Sequence, residues 1–138
     1  TSGYKEAVNG MIASWVTQVS HDPPLILAAV HPDRYSHGLI EKGGCFGLHV
    51  LDRSQKEMLR RFKGPDPLAK FSGIEWETGI TGVPILKSCT AWFELKVIKR
   101  LAPGNHTLFL GDVVNARVRD QGLPLSTIDY EGCYRGKH

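Results

Sequence analysis

A chain of 138 residues, 41% apolar and 22% charged, has the size and composition of one globular domain with a core of its own. The apolar runs are too short to span a bilayer, the N-terminus carries no secretory pattern, and a net charge of +3 is spread thinly. These features argue against a membrane protein and against a surface that tracks a nucleic acid backbone. Cys45, Cys89 and Cys133 form no C-x-x-C pair and read as reduced, mostly buried thiols of a cytoplasmic protein.

Alternation of period two starts at Gly10 and predicts a strand through Ser20. Met11, Ala13, Trp15, Thr17 and Val19 fall on one face, and Ile12, Ser14, Val16, Gln18 and Ser20 on the other. After His21-Asp22-Pro23-Pro24, the apolar run LILAAV (25–30) predicts a strand buried on both faces. Residues 32–44 read as a loop with a helical turn or two, stopped by Gly43-Gly44. CFGLHVL (45–51) alternates as a strand. Asp52 and Gln55 then resemble a capping box for a helix over 53–62, which Gly64-Pro65-Asp66-Pro67 ends.

The clearest hairpin lies in the C-terminal half. In SCTAWFELKVIKR (88–100), Cys89, Ala91, Phe93, Leu95 and Val97 share the buried face, and Ser88, Thr90, Glu94, Lys96 and Arg100 the solvated one. Ala102-Pro103-Gly104-Asn105 suits a type II turn, and HTLFLGDVVNARV (106–118) returns as a second long strand with Gly111 a bulge or a point of close approach. Many strands with few short helices predict a mainly β, closed barrel rather than a parallel sheet.

Catalytic motifs are absent. His21, His31, His37, His49, His106 and His138 show no recognised ligand spacing, so no metal is expected. Ser14 lacks the G-x-S-x-G elbow, and EKGGCFG matches neither a dinucleotide fingerprint nor a Walker loop. What remains is a set of polar, aromatic and glycine positions at strand ends: Asn9-Gly10, Ser14-Trp15, Arg34-Tyr35-Ser36-His37 and Asn105-His106-Thr107.

In their order, NGMIASWVTQVSHDPP, FGLHVL and GNHTLFLGDVV resemble the flavin reductase-like family of FMN-binding split barrels, from about Asn9 to Tyr134. The A-S-W-V-x-Q form is similar to the branch of flavoredoxins and flavodiiron-associated reductase modules. The resemblance implies a single domain over 1–138 that lacks an N-terminal strand, folded as a Greek-key split β-barrel with one or two short helices. It implies a homodimer with FMN, less readily FAD, near the interface. Asn9, Gly10, Met11, Ala13, Ser14, Trp15 and Val16 would line the flavin. Arg34, Ser36 and His37, with Tyr35 adjacent, would hold its phosphate, where a guanidinium and hydroxyls suit a dianion. His106 would position the nicotinamide of NADH or NADPH.

The activity so implied is NAD(P)H-dependent flavin reduction, with electrons passing to free flavin, iron or a partner protein. The alternatives are a non-catalytic FMN electron carrier of flavoredoxin type, favoured if the Trp15 indole excludes nicotinamide, and a cofactor-free structural barrel.

Overall fold

The computed structural model describes residues 1–119 and 121–129, so Cys133 and His138 lie outside it. Its centre is the predicted hairpin, β8 (Ala91–Leu101) against β9 (Thr107–Val118), with β4 (Leu25–Val30) on one flank and β5 (Cys45–Val50) on the other. β3 (Val16–Ser20) adds to β4, giving the antiparallel order β3-β4-β9-β8-β5. The long return from β4 to β5 makes this a Greek key. No ladder joins β3 to β5 among the described residues, so the barrel is split rather than closed.

Two bulges curl the hairpin. Ile98 is the extra residue between Val97↔Gly111 and Lys99↔Leu110, and Val114 between Glu94↔Asn115 and Leu95↔Val113. Gly111 proves a close approach, since a Cβ there would stand 2.8 Å from Leu95 Cβ and 3.0 Å from Phe46 Cε1. Gly104 is not among the glycines with positive φ, so the connection is an open bend and not the expected type II turn.

Several local expectations give way to tertiary structure. The strand expected from Gly10 begins only at Val16, because β4 pairs no earlier than Val16↔Ala28 and a lone bond from Ala29 N–H to Trp15 O (3.0 Å). β4 itself buries only Ala28 and Val30, and its other face is half-buried. Residues 35–43 form a full helix, α1 (Tyr35–Gly43), which ends where Gly44 takes φ 66° and donates to Ile40 O at 2.8 Å. α2 (Lys56–Lys63) starts three residues later than expected. Gln55 does reach back to Asp52 N–H (2.8 Å), but Asp52 turns to Ser54 N–H (2.8 Å), so Asp52 closes a turn ahead of the helix. The supposed stop at Pro67 makes a third helix, α3 (Pro67–Phe71), with Asp66 capping Leu68 N–H at 3.0 Å. Two small hairpins complete the chain: β1 (Ser2–Tyr4) with β2 (Ala7–Asn9), and β6 (Trp76–Thr78) with β7 (Pro84–Leu86).

The core has two parts. Ala28, Val30, Ile40, Phe46, Leu95 and Phe109 fill the curl of the sheet under α1. Phe62, Phe71, Val83, Ile85, Leu86, Cys89 and Trp92 join α2, α3 and β7 to the start of β8.

Glu94, expected on a solvated face, is fully buried because the turn after β6 folds over it. Its carboxylate accepts Thr81 N–H (2.9 Å), Thr81 Oγ1–H (2.8 Å) and Asn115 Nδ2–H (2.8 Å). Desolvation pushes its pKa up, yet the bonds from Thr81 and Asn115 together outweigh that and hold it below the usual carboxylate value. Glu94→Ala should cost about 2–3 kcal/mol in chemical unfolding, since it strands buried donors. A depressed folded pKa stabilises above the unfolded pKa and is lost as pH falls through the folded one. The stability gap between wild type and Glu94→Gln should therefore be largest at neutral pH and shrink below about pH 4.

Candidate functional site

Within the split of the barrel lies a cavity of about 460 Å³, inside the range of about 300–1,000 Å³ usual for small-molecule sites. One wall is the chain from Gly10 to Ser14, with Val16. The others are the inward face of β4 (Ile26, Ala28, Val30), β5 (Phe46, Leu48) and the α2 residues Leu59 and Phe62. The lining is mostly apolar. Its polar groups include Ser14, Ser36 and His49. Burial pushes His49 down to about 2, which keeps the imidazole neutral while Nε2 accepts Leu86 N–H at 3.2 Å.

The Gly10–Trp15 wall has a packing cause. A Cβ at Gly10 would stand 2.3 Å from Phe62 Cε1, so glycine lets the segment pack directly against that buried ring. Among the described residues the Gly10–Ser14 segment belongs to no ladder.

Of the residues expected at the site, Gly10, Met11, Ala13, Ser14, Val16 and Ser36 line the cavity. Asn9 stands behind them, buried, its Nδ2 donating to Ser36 Oγ at 2.9 Å. Arg34 is half-buried at the residue before α1, and Tyr35 is 53% exposed beside it. His37 is not brought to the cavity: α1 turns it inward, where Nε2 lies 2.8 Å from Thr107 Oγ1 and the ring packs on Phe109. Trp15 also points away, 62% exposed, with its indole 4.6 Å from the His106 ring. His31 meets His106 edge-on at 5.1 Å, so these three rings form a shelf outside the cavity.

Sequence reasoning missed Lys70. It is only 7% exposed, and its Nζ donates to Asn9 Oδ1 and to Gly10 O, each at 3.0 Å. Burial lowers its pKa, the Arg34 guanidinium lowers it further, and Asp66 partly offsets both. Its only signal in sequence is a lysine wedged between apolar neighbours in a five-residue helix, too weak to single it out. Among the described residues no group of three or more His, Cys, Asp or Glu is arranged to hold a metal ion.

Residues 1–137 match the family described as the flavin reductase like domain. The chain belongs to that family. This flavin reductase-like domain is 34% identical over 132 residues to a ferric-chelate reductase (NAD(P)H) of Archaeoglobus fulgidus, covering 93% of this chain and 78% of that protein. It is 32% identical to a high molecular weight rubredoxin of Moorella thermoacetica, covering 93% of this chain but 58% of that protein. The crystal structure of an FMN-binding protein from Thermus thermophilus shares the fold at a TM-score of 0.77 and 32% identity, over 85% of this chain and 66% of that one.

The residues present fit a flavin. A flat ring suits an apolar slot, and an anionic tail suits the end at Ser36, behind which Asn9 and Lys70 lie. Gly10→Val should force the Phe62 ring out of place, cost about 1–3 kcal/mol in urea unfolding, and weaken FMN and riboflavin binding alike in fluorescence titrations.

Proposed function

We propose that this domain is an NAD(P)H-dependent flavin reductase that holds FMN in the cavity between the Gly10–Ser14 wall, β4 and β5. The observation that carries the reading is the cavity itself, a mostly apolar slot whose lining includes the Ser14 and Ser36 hydroxyls, in a flavin reductase-like chain. When bound, FMN would supply the redox chemistry, taking a hydride from nicotinamide at N5 and releasing electrons to free flavin, ferric iron or a partner protein. The chain's residues bind and orient. Met11, Ile12 and the β4 face exclude water from the ring, Ser14 offers a hydroxyl, and Arg34 and Ser36 face the phosphate. The rings of Trp15 and His106 border the open side, where a nicotinamide would enter.

A homodimer suits the exposed edge of the sheet, where Val16 and Val19, next to the exposed Trp15, stand on a strand that among the described residues pairs along one side. The buried free thiols of Cys45 and Cys89 fit a reducing, cytoplasmic setting.

One observation favours a second reading. The Trp15 indole lies against His106 and so covers the residue expected to position the nicotinamide. In that arrangement the domain would carry electrons from a protein donor instead, and its likeness to part of a high molecular weight rubredoxin is in keeping with this.

Anaerobic mixing separates the two. A reductase loses its yellow flavin absorption on addition of NADH or NADPH. A carrier keeps it with both nucleotides, and Trp15→Ala should then open a route to bleaching. Persistence of colour in wild type with both nucleotides would end the reductase reading, and persistence in Trp15→Ala as well would show that the indole is not what excludes nicotinamide.

A further inference from the structure

The positive charge of the chain gathers on one short segment. Residues 53–63 hold Arg53, Lys56, Arg60, Arg61 and Lys63 against Glu57 alone, a charge of +4 in a chain whose net charge is +3. The remainder is left slightly acidic. A helix face that serves only solubility mixes both signs, and here one sign prevails. The helix dipole explains part of this, since Arg60, Arg61 and Lys63 fall in the last turn of α2. It does not explain Lys56, the first residue of α2, where a cation opposes the dipole.

Helical spacing sorts these cations. Lys56, Arg60 and Lys63, at i, i+4 and i+7, share one exposed face and form a row about 10 Å long at about 1.5 Å per residue. Glu57 meets Arg60 at 3.4 Å, but both side chains stand in solvent, so the pair removes little of the field. Arg61 turns away from the row to Ser72 O. Leu59 lies on the same side, three residues after Lys56 and four before Lys63, and it lines the cavity together with Phe62 and Lys63. Lys63 is the one charged residue among the described lining. α2 is thus both a wall of the cavity and the bearer of the charge.

A single anionic group is gripped by cations that converge, with hydroxyls or backbone N–H groups beside them. A row of separated, solvated cations instead matches carboxylates spread over a protein surface, and it gives fast, salt-sensitive encounter. We propose that the exposed face of α2 is the docking site for a small acidic redox protein, which receives electrons there from the occupant of the cavity. This rests on the flavin reading above and names the chemistry of its protein acceptor. Reduced FMN gives up two electrons, one to each of two successive partner molecules, whose ferric centres become ferrous. The hydrogens at its N1 and N5 leave as protons to solvent. Leu59 and Phe62 are what α2 places between its charged face and the cavity.

The test uses oxidised rubredoxin, a small acidic iron protein, as the probe. FMN-loaded protein is photoreduced without nucleotide and mixed with it in stopped flow. Wild type is compared with Lys56→Glu/Arg60→Glu, and with the same charge change at exposed positions on α1 and β8, Lys42→Glu/Lys99→Glu. Lys56→Glu suits the start of a helix, so α2 is preserved. The α2 variant should transfer electrons about tenfold more slowly, and the control should stay within about twofold of wild type. Raising ionic strength from about 0.01 to about 0.1 M, which shortens the screening length from about 30 to about 10 Å, should slow wild type and leave the α2 variant nearly unchanged. Equal losses in both variants, or a wild-type rate indifferent to salt, would overturn the proposal. So would a loss confined to bleaching by NADPH, which assigns the row to the nucleotide. Binding of rubredoxin to flavin-free protein, read from amide shifts in NMR, separates this proposal from the flavin reading. A domain that takes no flavin, yet shows shifts centred on 53–63 that vanish in the α2 variant, retains the docking face and retires the flavin. A domain that binds and bleaches flavin but shows no such shifts keeps the reductase and loses the docking face.

Discussion

The contact of Leu95 with Gly111 is the constraint on which the architecture turns. Leu95 is fully buried in β8, and β9 can pass it so closely only because residue 111 has no side chain. The bulges at Ile98 and Val114 flank this point and bend both strands around it. β4 and β5 take their places from the two outer sides of the bent hairpin, so the curl of the whole sheet descends from one tight crossing. A flat hairpin would leave Phe46 and Phe109 facing solvent and would enclose no cavity.

A second close approach sets the site on that scaffold. Phe62 belongs to the core that joins α2 and α3 to β8, and Gly10 rests on its ring. Lys70 anchors the same stretch from α3 through Gly10 O. The cavity wall is thus held from behind by a ring and an ammonium rather than from the side by a strand. That arrangement leaves its front open to a flat occupant.

Much of this was legible because period and punctuation agree in the hairpin. Alternation over 88–100 and 106–118, with Gly111 interrupting, gave the central strands and the close approach. The wall at Gly10–Val16 was legible as well, though its alternation implied a ladder that β4 does not extend far enough to supply. Glu94 was misplaced because strand periodicity assigns a residue to a face and says nothing of what covers that face. Here a turn some 13 residues earlier in sequence supplies two of the donors that bury it. His37 shows the same limit in a helix: the R-Y-S-H run put a histidine near a phosphate, while the pitch of α1 sends it to Thr107. Lys70 was invisible because its partners lie 60 and 61 residues away, and no local pattern announces a contact of that span.

The open edge at β3 has a colloidal consequence. Val16 and Val19 stand exposed on a strand whose outer backbone groups face away from the sheet, and such an edge can template pairing with any extended segment. The chain blunts it in two ways. The register breaks between Gln18 and Ser20, and the Gln18 amide occupies the Ser20 carbonyl at 3.1 Å. Both devices act toward the C-terminal end of the strand. Near Val16 no further strand pairs with this edge among the described residues, so that end of β3 is where the fold is most prone to self-associate as its concentration rises.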